Sequence, residues 1–264
     1  MTTPATRPFG SVRPGSGAMF DRIADRYDLV NRVMTFGLDR SWRRKTVDSL
    51  DLRPGSRILD LATGTADMAL EVLRRQPDAE VVGLDPSSEM LAIGQEKVRK
   101  RRLEGSITLR EGRAESLPFE DDSFDGICMA YGIRNVADRP AALREMARVT
   151  RPDGRIAILE ATDIRSGMLA PFARFHVYHV MPRLGALLSS SEEYRYLQSS
   201  ITAFPTPEAF VELMADCGLE SLATHSMTFG ANTLFVVRPA EVRPAKVRPA
   251  QVRPAEAEPV GGEQ

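Results

Sequence analysis

Cysteine is scarce in this sequence, with only Cys128 and Cys217 among 264 residues, and neither sits in a Cys-x-x-Cys or other metal-type spacing. That excludes a disulfide framework and a zinc site of the usual pattern, and it suits a reducing, cytoplasmic setting. Long apolar runs are missing too. None approaches the roughly 18 residues of a membrane span, and the first residues lack the apolar stretch of a secretory signal. An excess of one charge is also absent. Thirty-five Lys and Arg against 36 Asp and Glu leave a net charge of −1, without the basic field of a dedicated nucleic-acid binder. No nucleic-acid partner is therefore expected.

What remains is ordinary globular material: 42% hydrophobic and 27% charged residues, enough for one large α/β domain or two small ones. Residues 1–17, rich in Thr, Pro, Gly, Ser and Arg, predict a flexible arm. From Met19 to Leu50, Phe20, Ile23, Tyr27, Val30 and Met34 recur at helical steps, with a break at Phe36-Gly37-Leu38. After the Pro54-Gly55 turn, strands and helices alternate. Arg57 to Leu61 reads as a strand, Ala69 to Arg75 as a helix, Glu80 to Leu84 as a strand and Ser88 to Arg102 as a helix. Ser106 to Arg110 and Gly126 to Ala130 are strands, Ala141 to Val149 a helix, Pro152-Asp153-Gly154 a turn, and Arg155 to Glu160 a strand. This alternation predicts a doubly wound, mostly parallel α/β sheet, with ligands at the carboxyl ends of its strands.

Residues 163–205 interrupt the pattern with an aromatic, Met-containing insertion that serves either as a lid or as helical core. Pro207 opens a helix to Cys217, and Gly218 to Met227 and Thr233 to Val237 are closing strands that turn near Phe229-Gly230. Val-Arg-Pro-Ala then repeats from Val237. A proline in each repeat opposes helix and sheet, so residues 18–238 are assigned to the domain and 239–264 to a disordered Pro-rich tail.

The segment Ile58-Leu59-Asp60-Leu61-Ala62-Thr63-Gly64-Thr65-Ala66-Asp67 runs from strand into helix, and its small residues admit a ligand close to the backbone. It lacks the Gly-x-Gly-x-x-Gly spacing of a dinucleotide site. A second strand ends in Asp85. That carboxylate can accept two hydrogen bonds from a ribose diol, or it can cap the following helix; the glycine loop upstream favours the ribose. Arg110 to Phe119, ending Leu117-Pro118-Phe119, and then Phe124-Asp125 complete the series. His176 and His179 stand three apart but have no third ligand nearby, so no metal is expected. The basic run Lys97 to Arg102 reads as the solvated end of a helix.

The order of loop, acid, Leu-Pro-Phe and Phe-Asp resembles class I S-adenosylmethionine methyltransferases. Met19 to Asp28, with Asn31, Phe36-Gly37-Leu38 and Trp42-Arg43, is similar to the N-terminal signature of the UbiE/MenG quinone C-methyltransferases. Tyr131-Gly132-Ile133-Arg134-Asn135-Val136 is similar to that family's second signature. Tyr194 to Ile201, followed by Phe204-Pro205, resembles its third, so the similarity spans roughly residues 19–230. It implies a Rossmann-like seven-stranded sheet with N-terminal helices and a helical insertion, and S-adenosyl-L-methionine as cofactor. Carried over by residue, it implies cofactor contacts at Asp60, Gly64, Thr65, Asp85, Arg113, Ala114 and Ala130. Substrate contacts would be Asn135, Tyr178, Tyr194 and Tyr196. Two positions depart from the pattern. Arg113 replaces the Asp or Asn that serves the adenine amino group, and an arginine cannot accept that bond, which leaves Glu115 or the backbone. Gln198 replaces a proline.

The implied reaction is C-methylation of a prenylated quinol ring, demethylmenaquinol first, with Arg134 as the catalytic cation facing the charge on the ring oxygen. The alternative for Arg134 is an ion pair with Asp138 that holds the loop. Methylation of another small molecule and a non-catalytic, cofactor-binding scaffold of the quinone pathway are the rival readings. A greasy substrate is compatible with peripheral membrane contact, and a homo-oligomer stays open.

Overall fold

The computed structural model describes Asp28, Arg32, Thr35 and residues 37–163 and 191–241, with residues 191–195 given by their backbone alone. Expectations for the N-terminal arm, for residues 164–190 with Tyr178, His176 and His179, and for the tail beyond Glu241 lie outside these residues.

Gly37, at φ +75°, turns the chain into α1 (Asp39–Asp48). The elements then follow as β1 (Arg57–Leu61), α2 (Asp67–Arg75), β2 (Glu80–Asp85), α3 (Ser88–Lys100), β3 (Ile107–Glu111), β4 (Phe124–Ala130), α4 (Arg139–Val149) and β5 (Thr150–Ala161). After residue 190 come α5 (Ser191–Thr202), α6 (Pro207–Asp216), β6 (Leu219–Met227) and β7 (Asn232–Pro239). They form one seven-stranded sheet in the order β3-β2-β1-β4-β5-β7-β6, parallel up to β5, with β7 antiparallel to both its neighbours. The chain steps outward from β1 to β3 and then returns to β4 on the other side of β1. That reversal opens a crevice at the carboxyl ends of β1 and β4.

Both faces of the sheet are covered, so its central strands are apolar throughout rather than alternating. Leu59, Ile127, Ile158 and Phe235 pack on one face with Leu143 and Met146 of α4 and Phe210 and Met214 of α6. Ile58, Cys128, Ala157 and Val236 pack on the other with Trp42 and Val47 of α1 and Met68 and Val72 of α2. The predicted Pro152-Asp153-Gly154 turn sits inside β5 as an outward bulge. Between the pairs Phe124↔Thr150 and Gly126↔Arg155, β5 advances five residues while β4 advances two.

One expectation needs correction. The first Val-Arg-Pro-Ala repeat belongs to the sheet: Val237 pairs with Ile156 and Ser221, and Pro239 pairs with Leu219. At Pro239 the strand has run past β5 and keeps one neighbour, where a proline is tolerated.

Phe235 is fully buried and meets the Phe210 ring edge-on at 5.0 Å between centroids. Phe235→Ala should cost about 3–5 kcal/mol by urea denaturation, whereas Leu222→Ala, at an exposed site, should stay within about 0.5 kcal/mol. Equal losses at both sites would contradict this account of the core.

Candidate functional site

Between β1 and α2 the backbone takes a left-handed conformation at Ala62 (φ +53°), Gly64 (φ +53°) and Ala66 (φ +67°). For the two alanines this costs on the order of 1–2 kcal/mol each. Two acids hold the loop against that cost. Asp60 Oδ2 accepts the Thr63 hydroxyl at 2.6 Å and the Ala69 amide at 3.0 Å, while Asp85 Oδ2 accepts the Gly64 amide at 2.9 Å. The Thr63 amide also donates to the Leu84 carbonyl at 3.0 Å, tying the loop to β2. Asp60 is fully buried. Burial pushes its carboxyl up to about 7, against hydrogen bonds from Thr63, Cys128 and Ala69. It therefore lies beneath the loop and braces it, which corrects the expectation of a direct cofactor contact.

Above the loop is an open cleft at the carboxyl ends of β1, β2 and β4. Gly64, Asp85, Arg113, Ala114, Ala130 and Asn135 line it together, as do Leu84, Met90, Gly112, Glu115 and Tyr131. Asp60, Thr65 and Arg134 are not on its wall. The cap of α3 is Ser87, whose hydroxyl accepts from the Met90 amide, so Asp85 is not a helix cap. Asp85 instead accepts the Ser87 amide on Oδ1 at 2.9 Å and faces the cleft.

The cleft fits an adenosyl group. Asp85 offers a carboxylate suited to a diol, and Leu84 and Met90 make an apolar slot beside the 112–115 loop. Two glycines keep the space open. A Cβ on Gly132 would lie 2.5 Å from the Ala62 Cβ, and one on Gly64 would lie 3.0 Å from the Met90 methyl. The Arg113 side chain is 63% exposed and pairs at 2.9 Å with Glu115, which is 17% exposed, so the acceptor on this wall is Glu115.

The turn after β4 carries the second group of residues. Tyr131 has φ +58°, a rare conformation for a bulky residue. Its amide donates to the Leu159 carbonyl at 2.8 Å, and its own carbonyl accepts from Arg134 Nη1 at 2.9 Å and from Asn135 Nδ2 at 3.3 Å. Arg134 Nη1 also meets Glu160 Oε1 at 2.6 Å, and the Arg134 amide donates to Oε2 at 3.1 Å. Asp138 is otherwise engaged, capping α4 through the Ala141 amide. Arg134, expected from the sequence to face the substrate, is not among the residues that line the cleft. Its guanidinium lies inside the fold on a carboxylate that is 0% exposed, and it fixes the turn. Sequence reasoning missed Glu160, although an acid at the carboxyl end of a predicted buried strand was the available signal.

Asn135 faces the cleft and accepts the Tyr196 hydroxyl at 3.1 Å. Burial raises the Tyr196 phenol above its ordinary value, with Arg134 and Arg139 opposing, so it stays a neutral donor. Tyr131 donates to Asn232 Oδ1 at 3.1 Å. Tyr194 lies in α5, described by its backbone alone, so nothing places its side chain. Thr65 points away from the cleft, with its hydroxyl bonded to Asp28 and Lys97. Lys97, expected at a solvated helix end, has a side chain only 20% exposed. Among the described residues no group of His, Cys, Asp and Glu could hold a metal ion, and no helix is long and apolar enough to cross a membrane.

Residues 13–237 match the ubiE/COQ5 methyltransferase family. The chain belongs to that family. It is 43% identical over 218 residues to the ubiquinone/menaquinone biosynthesis C-methyltransferase UbiE of Geotalea daltonii, covering 82% of this chain and 93% of that one. It is 44% identical over 219 residues to the demethylmenaquinone methyltransferase of Thermus thermophilus, covering 83% and 98%. Among solved structures, the cyclase SpnF superposes with a TM-score of 0.66 at 16% identity, covering 88% of this chain and 98% of that one. Geranyl diphosphate methyltransferase superposes with a TM-score of 0.57 at 14% identity, covering 75% and 77%. These two likenesses concern the fold alone, which hosts a cyclase as readily as a methyl transfer. Family membership makes this UbiE/COQ5 protein an S-adenosylmethionine-dependent methyltransferase.

Two outcomes test the site. Arg134→Met strands the Glu160 carboxylate in the interior and should cost about 3–5 kcal/mol in urea, against at most about 1 kcal/mol for Arg113→Ala on the surface. Near-native stability of Arg134→Met would refute the buried pair. Asp60 supplies a pH signature. The folded protein holds the Asp60 proton more tightly than the unfolded chain, so ionisation lowers stability as pH rises from 3.8 to about 7 and contributes no further change above that. Asp60→Asn should remove this decline from stability measured across that range, and an unchanged slope would contradict it.

Proposed function

We propose that this protein methylates a ring carbon of a reduced, prenylated quinone precursor, demethylmenaquinol first. The observation that carries the proposal is the meeting of Asn135 and Tyr196 at the mouth of the cofactor cleft, on the turn that Arg134 and Glu160 hold. Relatives named for ubiquinone/menaquinone C-methylation and for demethylmenaquinone methylation support the same reading.

Bound S-adenosylmethionine supplies an electrophilic methyl group. Asp85 would hold a ribose diol and Glu115 would accept from a base amino group, both being on the wall of the cleft that the Ala62–Ala66 loop borders. A quinol ring carbon gains nucleophilicity as its hydroxyl ionises, yet a phenol of pKa near 10 is mostly neutral at pH 7. Asn135 and Tyr196 supply an amide and a hydroxyl to orient that oxygen, which converts a bimolecular encounter into an aligned one. Arg134 and Arg139 favour the ionised form of the neighbouring Tyr196 phenol, and the same field favours charge on a substrate oxygen beside it. Arg134 acts here through the turn and its field and does not touch substrate. Peripheral contact with a membrane that carries such a quinol fits this reading.

The test is turnover of a reduced, short-tailed demethylmenaquinol with S-adenosylmethionine, read by mass spectrometry of the extracted quinones. A product heavier by one methylene unit is expected. Asn135→Ala should lower turnover by at least about tenfold, roughly 1.4 kcal/mol, with S-adenosylhomocysteine affinity little changed. No methylated product from any reduced prenylated quinol would overturn the substrate assignment. It would leave methylation of another small molecule as the function.

A further inference from the structure

Near the carboxyl end of α3, a lysine usually meets the helix dipole and water. Lys97 is placed differently. Its ammonium donates to Thr65 Oγ1 at 2.8 Å and Asp67 Oδ1 at 2.7 Å, and pairs with Asp28 Oδ2 at 2.5 Å. An ammonium has three N–H donors, and here three acceptors meet them. Thr65 closes the ring by donating its hydroxyl to Asp28 Oδ1 at 2.7 Å. Arg43 of α1 extends the cluster, pairing with Asp67 at 3.3 Å and Asp39 at 2.6 Å. Although burial pushes the Asp67 carboxyl up, Arg43 and Lys97 hold it below its ordinary value. Four pieces of chain meet at this point: the segment at Asp28, α1, the loop that enters α2, and α3.

Gly94 accounts for the reach. A Cβ there would lie 2.9 Å from a Leu109 methyl and 3.2 Å from both the Ala66 Cβ and the Thr65 carbonyl carbon, so α3 lies against the loop. Three residues later on the same helix face, Lys97 comes over Thr65. The opposite side of this loop is the cofactor cleft, lined by Ala62 and Gly64, and the first turn of α3 brings Met90 to the same wall.

We propose that Lys97 is a positioning residue for the cofactor: its bonds to Thr65, Asp67 and Asp28 hold the outer side of the 62–66 loop in its binding conformation. The loop carries left-handed alanines and needs restraint on both sides. Asp60 and Asp85 restrain it from the sheet, and Lys97 does so from outside. Removing the ammonium takes away the cation shared by Asp28 and Asp67, leaving Asp67 its Arg43 pair, and the loop then spends less time in its binding conformation. Affinity falls by that fraction.

Calorimetric titration with S-adenosylhomocysteine tests this without any quinol, so its failure and that of the substrate assignment are distinguishable. Lys97→Met should weaken binding at least about tenfold, while Lys97→Arg should stay within about threefold of the wild type. Adding Asp28→Asn to Lys97→Met should weaken it no further, because the Lys97–Asp28 pair is already lost. Should Lys97→Met fail to fold, Asp28→Asn alone should weaken binding by about threefold or more. Folded variants with unchanged affinity overturn the proposal, as does a loss in Lys97→Arg equal to that in Lys97→Met.

Discussion

The cofactor cleft depends on one loop, and the first turn of the helix after it, bonding to carboxylates at the carboxyl ends of two neighbouring strands. The Gly64 amide reaches Asp85, and the Ala69 amide and Thr63 hydroxyl reach Asp60. Without those acceptors the left-handed residues 62, 64 and 66 would relax, because two of them are alanines with no intrinsic preference for that region. The parallel register of β1 with β2 sets Leu61 beside Leu84 and so delivers both acids to the same edge. Holding the loop has an electrostatic cost. Burial pushes the Asp60 carboxyl up to about 7, and Asp85 adds to the effect as a second negative charge.

A similar use of buried charge recurs at the turn after β4. Arg134 and Glu160 bring opposite charges into the interior, where the desolvation cost is offset by direct pairing and by hydrogen bonds to the Tyr131 carbonyl and the Arg134 amide. The gain is a fixed geometry for Tyr131 and Asn135 at the cleft mouth. Both devices place rigid backbone, rather than long mobile side chains, at the edge of the ligand space. Surface pairs such as Arg113 with Glu115 add little to stability and act instead through what they present to the cleft.

Ionic contacts are where sequence and structure part most clearly. Lys97 and Arg102 look alike in a basic run, yet Lys97 is drawn under the loop because Gly94, one turn earlier, lets the helix approach it. Arg134 had an acid nearby in sequence at Asp138, but the fold gave that acid to a helix cap and supplied Glu160 from the adjacent strand β5. Pro239 shows the same limit for backbone. A repeat that reads as a tail is taken into the sheet because β6 offers it one partner.

The alternation of strands and helices, the loop between Asp60 and Asp67, the acid at Asp85 and the signature turn at Tyr131 were all legible in the sequence. These are local signals: apolar runs, small residues at a turn, and an acid at a strand end. Which acid faces the cleft and which lies beneath it emerged from the packing of the fold, since Asp60 and Asp85 both lie near the carboxyl ends of β-strands. That packing also decided the partners of Arg134, Lys97 and Tyr196, which lie 26, 32 and 61 residues away in the bonds to Glu160, Thr65 and Asn135. Periodicity reads neighbours three and four residues apart, whereas a charge finds its partner through the packing of whole elements, which no local pattern encodes.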